Sequence, residues 1–192
     1  MEYHLTLPVT KKDVKKLHVG DLLYVSGNIF TARDVAHQLL FQKKVDDLPF
    51  VPSKMALYHC GPLMKKQGKK WYVVSAGPTT SSRMEIFEDK LIEKFGIPLI
   101  IGKGGMGERT AKALQKHTAV YTVYPGGAGA LAADCVQKVV DVHWLDSLGM
   151  LEAVWVFKMK EFGPLVVAMD SYGGSLVERK IKIDQTDLIK MC

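Results

Sequence analysis

The sequence predicts an α/β domain built on a mixed sheet, and two patterns lead to this fold class. Between residues 71 and 135, apolar strand patterns alternate with glycine turns and helical patterns, which is typical of strands covered by helices. From Val139 onward, strand patterns follow one another with short connections, which predicts a second layer of strands. No repeat or linker divides the 192 residues, so a single domain spanning 1–192 is expected.

The individual elements follow from hydrophobic periodicity and from turn residues. In the first part of the chain, the patterns predict strands at 3–8, 21–27, 56–59 and 71–76, a helix at 31–42, and an irregular proline-containing stretch at 45–68. In the second part, they predict helices at 84–95, 108–117 and 130–135 and strands at 98–101, 119–124, 139–143, 153–157 and 164–170. Functional sites of such alternating folds gather where the strands end.

The helix at 31–42 illustrates how the boundaries are assigned. Thr31 has a side chain that can cap the free N–H groups of a first helical turn. Val35, Leu39 and Leu40 recur at helical spacing, so they are expected to form the buried face.

The segment over residues 77–84, with the sequence GPTTSSRM, is the strongest local signal in the chain. It joins a predicted strand to a predicted helix, with Pro78 presetting the turn and hydroxyl side chains at 79–82 available as caps. Arg83 falls in the first helical turn, where acidic residues are normally favoured. An arginine there indicates that an anion binds opposite it, although a solvated arginine at a well-capped helix is the alternative.

Three cationic residues occupy equivalent positions in the predicted fold. Arg33, Arg83 and Lys103 each lie in a turn that joins a strand to a helix. If the sheet is built as the alternation suggests, these turns converge and present two guanidinium groups and one ammonium group to a common cleft. Such a cleft suits a small dicarboxylate; the alternative is that each charge belongs to the surface of its own loop.

Two glycine-rich segments also invite a nucleotide-binding interpretation. Residues 102–110 contain the glycines and lysine of a phosphate loop but not in the order that a Walker motif requires. Residues 127–132 do fit G-x-G-x-x-A after a strand. Asp141, however, lies closer to that segment than the usual ribose ligand does, so glycines that permit close helix packing are the other interpretation.

Composition narrows the function classes. The formal net charge is +6, but no aromatic platform or recognition helix accompanies the lysine clusters, so nucleic acid is not the expected partner. No apolar run is long enough to cross a bilayer and no signal peptide is evident, so a cytoplasmic protein is expected. The cysteines form no disulfide or zinc pattern and are interpreted as reduced thiols: Cys60, Cys135 and Cys192. The histidines show no metal-ligand spacing either: His4, His18, His37, His59, His117 and His143.

The residues discussed above resemble a known family, the beta subunits of class I fumarate hydratases and the related L-tartrate dehydratases. These subunits are equivalent to the C-terminal domain of single-chain class I fumarases. The resemblance covers nearly the whole chain and rests on four stretches: Ala32-Arg33-Asp34-x-Ala36-His37, the segment 77–84, Gly102-Lys103-Gly104-Gly105-Met106, and the tail from Gly149 to Gly173.

The resemblance implies a fold, a cofactor and partners. The fold would be a swivelling β/β/α domain that closes over an oxygen-sensitive four-iron four-sulfur cluster. The cluster would be ligated by three cysteines of an alpha subunit and not by this chain, and its open iron would act as a Lewis acid. The assembly would be a hetero-oligomer with additional contacts between copies of this chain.

The resemblance also implies roles for individual residues. Arg33, Arg83 and Lys103 would bind the substrate carboxylates, and Thr79 would remove the C3 proton. His37 would support the turn that carries Arg33, with a plain core histidine as the alternative. Because an unactivated hydroxyl is a poor base, Thr79 needs help, for which Lys103 is the first hypothesis.

The function implied is reversible dehydration of (S)-malate to fumarate, with L-tartrate as the near alternative substrate. A dinucleotide-binding or nucleic-acid-binding module is the distant alternative.

Overall fold

A computed structural model describes residues 1–176 of the chain; Cys192, interpreted above as a reduced thiol, lies outside the described residues. The strands are β1 Glu2–Thr6, β2 Leu22–Thr31, β3 Ala56–Tyr58, β4 Leu63–Gln67, β5 Lys70–Ser75, β6 Leu99–Gly102, β7 Val120–Val123, β8 Val136–His143 and β9 Val154–Met169. The helices are α1 Lys11–Val14, α2 Asp34–Gln42, α3 Glu85–Phe95, α4 Glu108–His117, α5 Gly129–Asp134 and α6 Leu145–Leu148. Short 3-10 turns lie at Val45–Asp47, Pro52–Lys54 and Ser81–Met84.

One mixed sheet organises the fold, as the sequence predicted. Its strand order is β1-β2-β3-β6-β7-β9-β8, and the first five of these strands run parallel. The long strand β9 is antiparallel to its neighbours, and it pairs with β2 as well as with β7 and β8. Strands β2, β3, β6, β7 and β9 therefore close into a ring.

The central strands of the sheet are buried on both faces. Consecutive residues of one strand belong to different hydrophobic cores: Ile29 and Phe30 of β2 do so, and so do Leu57 and Tyr58 of β3. One core includes residues of α2, α3 and α4, and the other includes Trp155 and residues of the β8 side of the sheet. Burial on both faces explains why β6 is a continuous apolar run instead of an alternating one.

The predicted start of helix α2 was wrong. Thr31 is the last residue of β2, and its buried hydroxyl accepts a hydrogen bond from the Trp155 N–H at 3.0 Å instead of capping the helix. Val35 is exposed, and the buried face of α2 consists of Ala36, His37 and Leu40. The buried face of α2 therefore differs from the predicted one. Two of its three buried residues are a small one, Ala36, and a polar one, His37, which hydrophobic periodicity does not identify.

Two predicted strand arrangements also needed correction. The expected second layer is not a separate sheet, because β8 and β9 join the first sheet, and the strands predicted at 153–157 and 164–170 are one strand, β9. The register between β2 and β9 shifts near Gly163 and Pro164, so the two strands remain paired on both sides of these residues. Strand β5 pairs in the described structure only with β4, as an antiparallel hairpin; β4 was not predicted, since its lysines obscure the strand pattern.

The α/β class is therefore confirmed. The swivelling architecture and the single domain over 1–192 stay predictions. In the described part of the chain, no helix has the length and apolar character needed to cross a membrane.

Closure of the ring can be tested at Phe162. This side chain is fully buried in β9 and packs edge-on against Tyr58 and Tyr124, with ring centroids 5.2 and 4.9 Å away. We expect Phe162→Ala to lower the free energy of unfolding by about 3–5 kcal/mol, because it removes a buried aromatic group and leaves a cavity. Phe41→Ala is the matched control, since the Phe41 ring is 38% exposed; its loss should be below about 1.5 kcal/mol. Equal losses in urea unfolding would contradict this role of Phe162.

Candidate anion-binding site at the ends of the parallel strands

Three loops meet at the carboxyl ends of the parallel strands. The arginine loop, Ala32 to Asp34, follows β2, and the lysine loop, Lys103 to Gly107, follows β6. The threonine loop, Gly77 to Met84, comes from the β4–β5 hairpin instead of from the main sheet. Because parallel strands end at the same edge, the first two loops are neighbours as a consequence of the topology.

Backbone pairing fixes the threonine loop between the ends of β3 and β6. Pro78 forms an isolated bridge with Cys60, and Thr80 forms one with Lys103. The Thr79 N–H donates to the His59 carbonyl at 2.8 Å. The threonine loop is therefore held by main-chain hydrogen bonds on both sides, which gives Thr79 a defined position.

The predicted capping hydroxyls do something else. No side chain caps the 3-10 turn Ser81–Met84 or helix α3. Ser81 is fully buried, and its Oγ accepts the Lys103 N–H at 3.0 Å. Its own N–H donates to the Lys103 carbonyl at 3.0 Å. The Ser81 hydroxyl thus joins the threonine loop to the lysine loop. It does not cap the helix, because its oxygen already accepts the N–H of Lys103, the residue after β6.

Arg83 links two of the site's functional groups. Its Nη2 atom donates to Thr79 Oγ1 at 2.7 Å and lies 3.1 Å from Asp34 Oδ2. The Arg83 side chain is 46% exposed, so this ion pair is partly solvated and weak. An incoming carboxylate could therefore displace Asp34 from the guanidinium at low cost.

Arg33 is less exposed than Arg83, with 24% of its side chain accessible. Its Nε atom lies 3.4 Å from Glu152 Oε1, without the alignment of a hydrogen bond. Glu152 also accepts hydrogen bonds from the N–H groups of Val35 and Ala36, so a distant carboxylate caps helix α2 in place of Thr31. The guanidinium packs so closely on Gly61 that a Cβ there would collide with it.

Lys103 has a different environment from the two arginines. Within residues 1–176, no carboxylate lies at ion-pair distance from its ammonium group, and the side chain is half-buried. Its methylene groups cover Gly126, where a Cβ would come within 2.8 Å of Lys103 Cδ. The lysine is thus directed along the loop after β7 and keeps its charge available.

The second glycine motif has a packing role in the described structure. A Cβ at Gly129 would collide with Ser75 Oγ and lie 3.0 Å from the Gly77 nitrogen. The Ala76 N–H donates to the Gly129 carbonyl at 2.9 Å. These contacts favour the close-packing interpretation of residues 127–132.

A cluster of polar side chains is buried beneath the loops. His37, His59 and Glu88 are fully buried, and one carboxylate oxygen, Glu88 Oε2, lies 3.2 Å from His37 Nε2 and 3.1 Å from His59 Nε2. His37 Nδ1 lies 2.8 Å from the Arg33 carbonyl oxygen, and His59 Nδ1 lies 2.9 Å from Ser81 Oγ. The cluster therefore touches both the arginine loop and the threonine loop.

Burial and charge act in opposite directions on this cluster. Burial favours a raised pKa of Glu88, but the two imidazoles that contact its carboxylate outweigh it and lower the pKa to about 2. Burial lowers the pKa of His59, and the nearby carboxylate only partly opposes this. We conclude that Glu88 is ionised and that His59 is neutral near pH 7.

The sequence did not identify several of these residues. Asp34, Glu152, His59 and Glu88 come from separate parts of the chain, and no spacing rule connects them. One signal was present: Glu88 lies on the same face of α3 as Leu91, Ile92 and Phe95, where a charge is unusual.

The described edge of this α/β sheet thus carries two guanidinium groups, one ammonium group and a hydroxyl. These groups make it a candidate anion-binding site. The family model described as "Fumarase C-terminus" matches residues 2–180, and the chain belongs to this family. The resemblance noted from the sequence is confirmed.

Individual relatives agree with this assignment. The chain is 43% identical over 183 residues to the L(+)-tartrate dehydratase subunit beta of Escherichia coli (strain K12), covering 95% of this chain and 90% of the relative. It is 48% identical over 180 residues to the putative L(+)-tartrate dehydratase subunit beta of Methanocaldococcus jannaschii, covering 93% and 92%. It is 40% identical over 188 residues to a putative fumarate hydratase class I of Geobacillus stearothermophilus, covering 97% of this chain but 35% of that protein. The family is one of hydro-lyases.

The junction of the loops can be tested at Gly102. A Cβ there would overlap Ser81 Oγ and lie 3.0 Å from both His59 Nδ1 and Tyr121 Oη. We expect Gly102→Ala to lower the free energy of unfolding by at least about 2 kcal/mol, because no backbone or buried side chain can yield. A Cβ at Gly127 meets open space, so Gly127→Ala should change stability by less than about 0.5 kcal/mol. Similar values for both variants in urea unfolding would show that Gly102 is not confined in this way.

Proposed function

We propose that this chain is the beta subunit of an iron-sulfur-dependent hydro-lyase that interconverts (S)-malate and fumarate. The observation that carries the proposal is the contact between Arg83 and Thr79, at the edge where Arg33 and Lys103 also lie. Membership of the hydro-lyase family supports the reaction class. The reaction removes a proton from C3 and the hydroxyl from C2 of malate, giving fumarate and water.

The three cations would bind the substrate's two carboxylates. Arg83 and Arg33 offer planar donor pairs that match a carboxylate, and Lys103 offers a point charge without a competing acid in the described residues. Asp34 and Glu152 hold the guanidinium groups in place before substrate arrives. Such preorganisation reduces the ordering that binding requires.

Thr79 would be the base that removes the C3 proton, and Arg83 would activate it. The guanidinium donates to Thr79 Oγ1 at 2.7 Å and would stabilise negative charge that develops on this oxygen. The first hypothesis named Lys103 as the helper; in the described structure the hydrogen bond to Thr79 comes from Arg83. Lys103 remains a proposed carboxylate ligand.

The two described cysteines of this chain do not fit as ligands of a four-iron four-sulfur cluster. Cys60 is fully buried, which raises the pKa of its thiol, and Cys135 lies in another part of the fold. A cluster needs several accessible thiolates in one place, which these two described cysteines do not provide. We therefore propose that the cluster implied by the resemblance is ligated by an alpha subunit.

An alpha subunit is the proposed partner. Relatives from two organisms are named as beta subunits and match this chain over at least 90% of their own length. The fumarate hydratase from Geobacillus is nearly three times as long, which is consistent with a second region fused to an equivalent domain. A hetero-oligomer with contacts between copies of this chain, located in the cytoplasm, remains the proposed state.

L-tartrate is the second candidate substrate, and the names of the two beta-subunit relatives favour it. Tartrate has one hydroxyl more than malate and requires the same bond changes. A dinucleotide-binding module is less well supported, because Gly129 of residues 127–132 packs against Ser75 and the start of the threonine loop.

The proposal is tested by an anaerobic assay of malate and tartrate dehydration, using this chain alone and together with the cluster-bearing chain. Activity only in the mixture supports a beta subunit, and the faster substrate identifies the enzyme. Absence of activity on both acids with an intact cluster would overturn the proposed function. Weak sensitivity of substrate affinity to added salt would further separate a partly buried dicarboxylate site from binding to nucleic acid.

Arg83 is the first residue to test in the assembled enzyme. We expect Arg83→Ala to reduce kcat/KM by at least about 10³-fold, since it removes a carboxylate ligand and the donor to Thr79. Its thermal midpoint should stay close to that of the parent, because the side chain is half exposed. Arg109→Ala is the matched control: its guanidinium is 50% exposed and pairs with Asp89 away from the loops. Unchanged turnover in Arg83→Ala would refute the assignment.

Variants at Thr79 test the proton-transfer step separately from substrate binding. Thr79→Ala should lower kcat by at least about 10²-fold while KM changes little, because the hydroxyl acts in proton transfer. Thr79→Ser keeps the hydroxyl and should retain most of the activity. Thr80→Ala, at an exposed neighbouring residue, should behave like the parent. A normal rate for Thr79→Ala would exclude Thr79 as the base.

A further inference from the structure

The buried cluster of His37, Glu88 and His59 connects the backbones of the site's loops. His37 comes from α2, Glu88 from α3, and His59 follows β3. One end of the cluster contacts the Arg33 carbonyl, and the other contacts Ser81, which binds the lysine loop. Three elements that are distant in sequence therefore meet at one carboxylate.

The hydrogen positions in the cluster follow from its acceptors. The Arg33 carbonyl can only accept, so His37 Nδ1 carries a hydrogen. The two contacts to Glu88 Oε2 each need a further hydrogen, and a carboxylic acid could supply only one. With Glu88 ionised, both hydrogens come from the rings, so His37 and His59 each donate from Nε2 to the same carboxylate oxygen. One oxygen of Glu88 thus holds both imidazoles.

Neutral His59 continues the hydrogen-bond chain toward the lysine loop. Its Nε2 donates to Glu88, so its Nδ1 must accept, and the donor is the Ser81 hydroxyl at 2.9 Å. Ser81 Oγ in turn accepts the Lys103 N–H at 3.0 Å. Every hydrogen bond from Lys103 to Glu88 therefore runs in one direction, and the carboxylate charge orients all of them.

Stability alone does not account for this arrangement. Glu88 Oε1 has no hydrogen-bond partner among the described residues although it is buried, and an unpartnered buried oxygen weakens the fold. Apolar replacements of a buried ion pair are often neutral or stabilising. What the cluster does provide is a fixed separation between the arginine loop and the junction of the threonine and lysine loops.

We propose that Glu88 is a positioning residue for the dicarboxylate site and acts through His37 and His59 on the loops that bear Arg33, Thr79 and Lys103. This inference rests on the proposed function. Glu88 does not touch substrate; its carboxylate holds the cation-bearing loops at the spacing that the two substrate carboxylates require.

Glu88→Gln tests the inference in the assembled enzyme. Glutamine keeps the shape and one oxygen acceptor but has no charge, so it holds the two imidazole N–H groups less strongly than the carboxylate does. We expect KM for the dicarboxylate to rise by about tenfold or more, with kcat changing by less than about threefold in the correctly folded fraction, because the spacing of the loops is lost while the hydrogen bond between Arg83 and Thr79 remains. A purely structural residue would lower the folded fraction without raising KM.

Two further variants sharpen the test. Glu93→Gln is the matched control, because Glu93 lies on the same helix with an exposed carboxylate paired to Lys116. His37→Asn retains a donor near the Arg33 carbonyl but removes the ring nitrogen that contacts Glu88. If His37 and Glu88 act as a unit, the double variant should raise KM no more than the worse single variant does. Effects that multiply, or a Glu88→Gln variant with the kinetics of Glu93→Gln, would overturn the inference while leaving the proposed function intact.

Amide hydrogen exchange provides a readout that does not depend on turnover. In Glu88→Gln, the Ser81 and Lys103 amides should exchange roughly tenfold faster or more than in the parent, and in Glu93→Gln they should not change. If the wild-type enzyme dehydrates neither acid but these exchange rates are observed, the proposed reaction is rejected and the coupling of the loops is not. Unchanged exchange in Glu88→Gln would reject the coupling. Stoichiometric metal in the isolated chain, measured by elemental analysis, would also reject it, since the three ligand atoms lie within 4.8 Å of one another.

Discussion

The antiparallel pairing of β2 with β9 is the constraint on which the rest of the structure depends. It closes the sheet into a ring and places the start of β9 beside the end of β2, where the Thr31 hydroxyl accepts the Trp155 N–H. Glu152, just before β9, thereby reaches Arg33, just after β2, and caps helix α2. One strand pairing thus defines the core and also the acid partner of a proposed substrate ligand.

The site combines fixed and available charges. Arg33 and Arg83 each have a carboxylate neighbour, whereas no such neighbour lies near Lys103 in the part of the chain that the structure describes. The partly solvated pair of Arg83 with Asp34 can give way to a stronger ligand. In the proposed function, the excess of positive charge at the strand edge would attract a dianion, and the orientation of the guanidinium groups would favour one with two carboxylates.

The sequence predicted elements best where periodicity was strong and local. Helix α4 has the predicted bounds, and β6 lies where an apolar run ends at Gly102. The strand predicted to end at Gly27 was too short, because β2 continues through this glycine to Thr31. The sequence failed where long-range contacts override local signals. Thr31 and Ser81 were both predicted to cap helices. In the structure the Thr31 hydroxyl accepts the backbone N–H of Trp155, and the Ser81 hydroxyl accepts that of Lys103. A side chain with two possible partners takes the one that the tertiary structure brings closest.

The sequence by itself determined the α/β class, the strand-to-helix turns, and the four residues Arg33, Thr79, Arg83 and Lys103 as candidates. Turn chemistry and charge are local properties, so they can be recognised along the chain. Only the tertiary structure decided that β8 and β9 join the first sheet, and that Arg83 is the residue that contacts Thr79. It alone brought His37, His59 and Glu88 together, because hydrogen bonds between buried side chains depend on distances in space and not on separation along the chain.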